Sequence, residues 1–266
     1  MKFIMNIFFI ARKKNTIGLL CVACICIVLI GKLQNPRLQQ IAKTDIESSK
    51  YIKKEIQEKL QLEFVSRTPS LGLENLMADW VMLKFLQYFG DREAREKTGY
   101  TLSPQYLEAI VGKDPHFVKA YLVISPASSM FAGRPERTIK IMEQGLTYLS
   151  PSIPQAYFVW IYKGVDEILF LGDLEEAKKS YETASQWASI AGDEQIAQAA
   201  TATAKFLSTK PDPRQAQVGA WFTVWTSNQD KSVRKRAESE IEKLGGKLTV
   251  YPDGRVKAQP PKIENS

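Results

Sequence analysis

Apolar residues recur at spacings of three and four along most of the chain, which is the period of an α-helix. Over 34–69 they stand among Lys and Glu, an amphipathic helical pattern that stops near Pro69. From Leu73 to Gly90 the chain is apolar on nearly every side, which predicts a helix at the centre of the packing. Strand-like alternation is almost absent before Lys247–Val256, which reads as a hairpin about a Pro-Asp-Gly turn. The pattern therefore predicts an all-α fold that ends in a short hairpin and a polar tail over 246–266.

Helix starts beyond residue 100 are marked by capping side chains. A Ser or Asp side chain accepts hydrogen bonds from the free N–H groups of the first turn, and proline suits the first helical position. Asp173 and Glu176 have the spacing of a capping box, and Asp193 can cap the helix that follows it. These signals predict a series of helices, the last of them within 209–245. The capping pairs that contain proline are Ser103-Pro104, Asp114-Pro115 and Asp212-Pro213.

One apolar run is long enough to cross a membrane. Ile17–Ile30 contains no polar group stronger than cysteine, and its flanks extend the span to about 17 residues, the short end of a transmembrane helix. We therefore predict a retained transmembrane anchor over 16–33. A cleaved signal peptide stays open as an alternative, although no small-residue cleavage site follows the run. A lipoprotein signal ending at Cys24 also stays open, although six more apolar residues follow that cysteine.

Charge is distributed unevenly along the chain. The 266 residues include 36 basic and 29 acidic ones, a formal charge of +7. Residues 1–44 hold seven basic residues and no acid, so the body is neutral and offers no concentrated basic surface to the phosphates of a nucleic acid. Four of the seven basic residues lie in the segment 1–15, and basic residues favour the cytoplasmic side of a membrane. The N-terminus is therefore predicted to be cytoplasmic, and the body periplasmic or lumenal.

Few residue types that carry catalytic or metal chemistry are present. All three cysteines lie in the apolar run, and His116 is the only histidine. The body therefore has no Cys-based zinc site, no multi-histidine site and no Cys–His nucleophile. Because His116 follows Asp114-Pro115 at a helix start, we interpret it as a surface residue. We predict no catalytic residue, no cofactor and no metal.

Two stretches of the chain superpose without a gap at a period of 39 residues, one from Gly133 and one from Gly172. Each opens on glycine, continues into a helix with one packed stripe, and is preceded by another helix. This period indicates stacked helical hairpins rather than a single bundle. The matched positions of the stripe are Thr138 with Ala177, Met142 with Tyr181, and Gly145 with Ala184.

The second stretch resembles the tetratricopeptide repeat (TPR) family. The resemblance is carried by Gly172-Asp173 at the turn and by Ala177, Tyr181 and Ala184 in the helix. The chain departs from the family pattern in its period, which is usually about 34 residues. It departs also at Pro126, which should kink the first leading helix, and at Ile161, where the family frequently has tryptophan. The resemblance implies a TPR-like helical domain over 70–208.

The layout of the whole chain is also similar to membrane-anchored TPR-like proteins found in several bacterial groups. This similarity implies a protein of the bacterial envelope or of a thylakoid-type membrane that binds other proteins. The expected function is a protein-binding scaffold for the assembly or stability of a membrane complex, one subunit of which is the partner. Photosystem assembly is the specific form that this takes if the similarity extends to photosynthetic groups. A cell-envelope enzyme with an unrecognised active site and a structural tether stay open as alternatives.

The TPR resemblance also implies where a partner binds, because the leading helices of such repeats face a groove. The remaining stripe of the second leading helix is then expected to face its paired helix: Ile161, Gly164, Val165 and Ile168. The alternative is that the aromatic residues are core, covered by the helix at 73–90. The predicted groove residues are Val159, Tyr162, Asp166, Leu169 and Phe170 in the second unit, and Ala120, Val123, Ala127, Met130 and Phe131 in the first.

Overall fold

The computed structural model describes residue 32 and residues 48–261. The predicted basic segment at 1–15 and, apart from residue 32, the predicted anchor at 16–33 lie outside the described residues. From Ser48 onward the chain packs as a unit of its own. Its α-helices are α1 (Ser48–Arg67), α2 (Glu74–Gly90), α3 (Arg92–Thr98), α4 (Ser103–Lys113), α5 (Val118–Tyr121), α6 (Pro135–Leu146), α7 (Tyr157–Asp166), α8 (Leu174–Ile190), α9 (Glu194–Leu207), α10 (Arg214–Ser227) and α11 (Lys231–Lys243).

Two π-helical segments and one small sheet complete the described fold. The first π segment (Ser125–Phe131) precedes α6, and the second (Glu167–Leu171) continues α7. Strands β1 (Lys247–Val250) and β2 (Val256–Gln259) form an antiparallel hairpin. The all-α prediction and the C-terminal hairpin are therefore confirmed. No helix in the part of the chain that the structure describes is both long enough and apolar enough to span a bilayer.

Most of the predicted helix starts are found where the capping residues stand. The Asp173 carboxylate accepts the N–H of Glu176 at 3.0 Å, and Asp193 caps α9 through the N–H of Ile196 at 3.2 Å. Helix α4 begins at Ser103, but the Ser103 hydroxyl does not cap it. After Asp114-Pro115 no helix begins until Val118. There the Asp114 carboxylate accepts the N–H of His116 at 2.9 Å. This local turn competes with helix formation and delays the start of α5.

The two repeat units have the same construction. Each π segment leads into a glycine with positive φ, 62° at Gly133 and 72° at Gly172, a conformation that residues with a Cβ rarely adopt. The helix of the second half, α6 or α8, starts within two residues of that glycine. The predicted packed stripe is confirmed, because all six matched positions are buried: Thr138, Met142, Gly145, Ala177, Tyr181 and Ala184.

The stripe of α7 that was expected to face the paired helix does so. Gly164 lies so close to Tyr181 that an added Cβ would be 2.8 Å from the ring. Ile161, Val165 and Ile168 belong to the same apolar cluster as Tyr181 of α8. This part of the prediction is confirmed.

A glycine in α6 provides a direct test of the packing in the first unit. A Cβ at Gly145 would lie 1.9 Å from the Tyr121 hydroxyl oxygen, and that hydroxyl is held by a 2.8 Å hydrogen bond to the carbonyl of Pro115. We expect Gly145→Ala to lower the free energy of unfolding by about 1–3 kcal/mol, as overpacking does. The matched control is Gly219→Ala in α10, where no atom lies within 4 Å. There the better helix propensity of alanine should raise stability by about 0.5–1 kcal/mol. Urea denaturation of both variants measures the difference, and equal effects would contradict the packing described here.

The C-terminal helices lie across both repeat units. A Cβ at Gly133 would be 3.0 Å from Val233 of α11, and one at Gly172 would be 2.8 Å from the amide of Gln217 of α10. Trp221 of α10 belongs to an apolar cluster formed by these C-terminal helices and Phe170, and Leu248 and Ala258 of the hairpin pack against this cluster. The C-terminal third of the chain therefore closes the side on which the two repeat turns meet.

The prediction that the helix at 73–90 is central is wrong. In α2 only Ala78, Val81, Phe85 and Tyr88 are buried, while Leu76, Trp80, Leu83 and Leu86 are exposed. The physical reason is that α2 lies at the edge of the domain and packs mainly on α4, so only one of its apolar faces is covered within the described residues.

Helix α1 is similar to α2 in this respect. It ends at Arg67, as the sequence predicted, but its regularly spaced apolar residues Ile52, Ile56, Leu60 and Phe64 are exposed. Its buried apolar side chains are Tyr51 and Leu62. The spacing identified a helix and one apolar face, but that face is turned away from the domain.

Candidate functional site

The predicted groove residues lie around the two π segments, and many of them are enclosed. Ala120, Ala127 and Val159 are core residues, and Asp166 is fully buried. Phe170 is also buried, while the others are half-buried: Val123, Met130, Phe131, Tyr162 and Leu169. Binding of a partner through the accessible members, above all Val123 and Tyr162, stays a prediction.

Aromatic packing shows what covers the predicted groove. Phe170 stands edge-on to Trp221 of α10, with 5.3 Å between the ring centroids. Met130 and Leu169 border the same cluster. Phe131 instead contacts Phe89 of α2, with 5.1 Å between ring centroids. The alternative that the aromatic residues are core, covered by the helix at 73–90, is therefore correct for Phe131. Phe170 is covered instead by the C-terminal helices.

A buried ion pair lies where α7 passes into the second π segment. The Lys163 ammonium contacts the Glu167 carboxylate, and both side chains are almost fully buried. Ser180 of α8 donates to the other Glu167 oxygen at 2.7 Å. Burial raises the pKa of Glu167, against the opposing effects of Lys163 and Ser180. The pair is fully hydrogen-bonded and holds α7 to α8.

Asp166, next to this pair, has no such partners. Its side chain is 0% exposed, and neither carboxylate oxygen has a hydrogen-bond partner among the described residues. Burial raises the pKa of Asp166 to about 7, against a smaller opposing effect of the Ser129 and Ser125 hydroxyls beside it. Ser129 donates to Thr138 at 2.8 Å instead of to the carboxylate. The Asp166 carboxyl group is therefore enclosed in the domain as a proton-binding group.

Sequence reasoning found no catalytic candidate, and the geometry adds none at His116. The His116 ring is exposed, and its Nδ1 lies 3.9 Å from the Asp114 carboxylate. Among residues 48–261 no group of three or more Cys, His, Asp or Glu side chains is placed to hold a metal ion.

The surface feature with the clearest binding geometry is a cleft between α4 and α6, which we call the α4–α6 cleft. Its volume is about 500 Å³. Gly112 of α4 has open space where a side chain would be, and Gly145 of α6 also lines the cleft. Tyr148 stands at the cleft with 63% of its surface exposed. The apolar part of its lining is formed by Val111, Pro115 and Ile141.

An ion pair fixes the two walls of the cleft. Arg137 of α6 donates to both Glu108 oxygens of α4, at 2.9 Å from Nε and 2.5 Å from Nη2. This two-point geometry orients the guanidinium group and holds the helices at a fixed spacing. Sequence reasoning missed this cleft. The available signal was the pair of glycines, Gly112 and Gly145, in the interior of predicted helices.

Comparisons with known protein families, with curated proteins and with solved structures find no match to this chain.

Proposed function

We propose that the protein is a membrane-anchored scaffold that binds a protein partner and supports the assembly or stability of a membrane complex. The observation that carries the binding role is the α4–α6 cleft. Its apolar lining residues, its exposed Tyr148 and the ion pair that links its two helices are features of a pocket that receives an anchoring side chain of a partner. A volume of about 500 Å³ has room for one or two such side chains.

The anchor is the sequence-based part of the proposal. The apolar run within 16–33 lies outside the described residues and precedes α1 by a short connection. The basic cluster Arg12-Lys13-Lys14 before the run favours a cytoplasmic N-terminus. The repeat units are then periplasmic or lumenal, where they meet partners on that side of the membrane.

The membrane assignment has a direct biochemical test. We expect the full chain to stay in the membrane pellet after alkaline carbonate extraction, because a spanning apolar segment is held by the hydrocarbon core. Protease added to spheroplasts should digest the body while cytoplasmic control proteins survive. Release by carbonate would contradict the anchor, and a body protected until lysis would contradict the orientation.

The binding role is tested by filling the cleft and by removing its rim. Gly112→Leu places a side chain where no atom lies within 4 Å of the new Cβ, so it should block the cleft without disturbing the fold. Tyr148→Ala removes the exposed aromatic contact. We expect each change to weaken partner binding by about 1–3 kcal/mol, which is typical of an interface anchor.

The matched control is Gly219→Leu, at another exposed helical glycine with open space around it, on α10. Partners are first identified by affinity purification of the wild-type protein from solubilised membranes, followed by mass spectrometry. Retention of each partner is then compared among the three variants and the wild type. If the two cleft variants are folded and retain every partner as well as Gly219→Leu does, the cleft is not the binding site.

A further inference from the structure

Helix α1 covers only part of its apolar surface with its own domain. Its inward side combines the buried Tyr51 and Leu62 with a charged group, Glu55, which lies 3.7 Å from the buried Arg95 guanidinium and accepts a hydrogen bond from Thr101. Its outward side carries the apolar stripe, and Phe64 is 71% exposed. A helix that packs only on its own domain places its apolar stripe inward. The exposed stripe of α1 therefore indicates an apolar neighbour outside the domain.

Exposed apolar side chains concentrate on α1, α2 and the turn between them. Of the 16 large apolar side chains exposed within the described residues, 10 lie between Ile52 and Leu86. Trp80 and Lys84 of α2 meet Glu58 of α1 at a small cleft between the two helices. We define the N-terminal apolar face by the most regularly placed of these side chains: Ile56, Leu60, Phe64, Leu76, Trp80 and Leu83.

The position of this face in the chain points to lipid as its neighbour. The apolar run ends at Ile30, and only the 17 residues 31–47 separate it from Ser48, where α1 begins. That connection spans about 25 Å as a helix and at most about 60 Å fully extended. A spanning anchor therefore keeps the start of α1 within about 60 Å of the bilayer.

The charges around the face fit a lipid surface. Lys53, Lys59 and Arg67 are exposed on α1, where Glu63 is the one exposed acid among the described residues, and α2 adds the exposed acids Glu74 and Asp79 and the exposed Lys84. Lys84 lies over the Trp80 ring, with its Nζ 5.8 Å from the ring centroid. Tryptophan and leucine beside lysine are typical of helices that lie in the bilayer interface, with the lysines at the headgroups.

We propose that the N-terminal apolar face lies in the interface of the membrane to which the protein is anchored, in contact with acyl chains and anionic headgroups. This inference rests on the proposed function, because the anchor supplies the membrane. The domain is then held against the bilayer by two elements, the anchor and the face, and its orientation relative to the membrane is fixed.

The test places one fluorescent reporter at a time on the full chain in vesicles of phosphatidylcholine and phosphatidylglycerol. The native cysteines are removed by Cys21→Ala, Cys24→Ala and Cys26→Ala, and an environment-sensitive dye is attached at Phe64→Cys or Leu83→Cys. The matched control is Phe206→Cys on α9, a side chain that is 59% exposed and lies outside the face. Lipids with a spin label on the acyl chain quench dyes in the bilayer, and iodide quenches dyes in water.

We expect acyl-chain quenching at both face positions to be about twofold or more stronger than at Phe206→Cys, because interfacial helices bury their apolar side about 5–10 Å into the bilayer. A dye protected from iodide but not quenched by lipid would show that protein covers the face, and would overturn the inference. A dye as accessible to iodide as the control would overturn it too. Flotation of the vesicles shows whether the protein is bound to the membrane at all, and so distinguishes a failure of this inference from a failure of the proposed anchor. Protein that floats without lipid quenching refutes the inference alone, whereas protein that does not float refutes the anchor and the inference together.

Discussion

Asp166→Asn is expected to stabilise the protein by about 2–4 kcal/mol at pH 8 and to have little effect near pH 4. The pKa of Asp166 rises from its ordinary value of 3.8 to about 7 in the folded state because burial outweighs the opposing effect of the Ser129 and Ser125 hydroxyls. Between these two values the folded protein holds a proton that the unfolded chain releases. The free energy of unfolding therefore falls as the pH rises through this window, and it levels off above pH 7. Asparagine keeps the shape of the side chain and never acquires the charge.

Chemical denaturation of the wild type and the variant at several pH values between 4 and 8 measures this effect. The matched control is Glu182→Gln, at an exposed carboxylate of α8, which should show no comparable dependence on pH. If Asp166→Asn lowers stability by the same amount at every pH, the native carboxyl group makes a stabilising contact, and the prediction of a raised pKa is contradicted.

Lys163→Met is expected to lower the free energy of unfolding by about 3–5 kcal/mol at pH 7. The substitution leaves the Glu167 carboxylate buried and charged, with the hydrogen bond from the Ser180 hydroxyl but without its ammonium partner. Breaking one side of a buried pair is costly because the remaining charge has lost its solvation and its partner. The double variant Lys163→Met/Glu167→Leu removes both charges and should recover most of the loss.

The chain offers a matched control on the neighbouring helix. Lys178 and Glu182 have the same four-residue spacing, with 3.4 Å between their charged groups, but both side chains are partly exposed. Lys178→Met should therefore cost no more than about 1 kcal/mol, as surface pairs do. Urea denaturation of the three variants and the wild type measures these differences in the free energy of unfolding. A loss at Lys163 no larger than that at Lys178 would contradict the role assigned to the buried pair.

Local structure in this chain was predictable because its causes are local. The cap at Asp173 and the glycine at Gly172 act on their immediate neighbours, and both were found where the sequence placed them. The repeat was predictable because it can be found by aligning one stretch of the chain with another, 39 residues later, without knowing how they pack. The stripe that faces α8 was implied by the TPR resemblance, and its apolar and small residues, such as Gly164, suit that position.

Long-range packing could not be predicted in the same way. Periodicity identifies an apolar face of a helix but does not say which element covers it. Phe170 was assigned to a groove or to a core with the helix at 73–90, whereas its neighbour is Trp221, 51 residues later in the chain. The burial of Asp166 was not predictable either, because a carboxylate on a helix is normally exposed, and the Ser125 and Ser129 hydroxyls beside it belong to an element far earlier in the chain. For the α4–α6 cleft the sequence offered glycines such as Gly112, but a glycine in a helix does not say which helix packs opposite it.

The helix that covers the repeat turns has a consequence for the order in which the protein folds. The Asn228 side chain, just after α10, donates a hydrogen bond to the carbonyl of Met130, 98 residues earlier. Closing a loop of that length costs entropy before any contact forms, so pairings of this kind are slow compared with the helical hairpins. We therefore expect the two repeat units to form first, with Met130, Leu169 and Phe170 uncovered. Completion of the domain then waits for the synthesis of the last quarter of the chain, and in that interval the nascent protein is most exposed to aggregation.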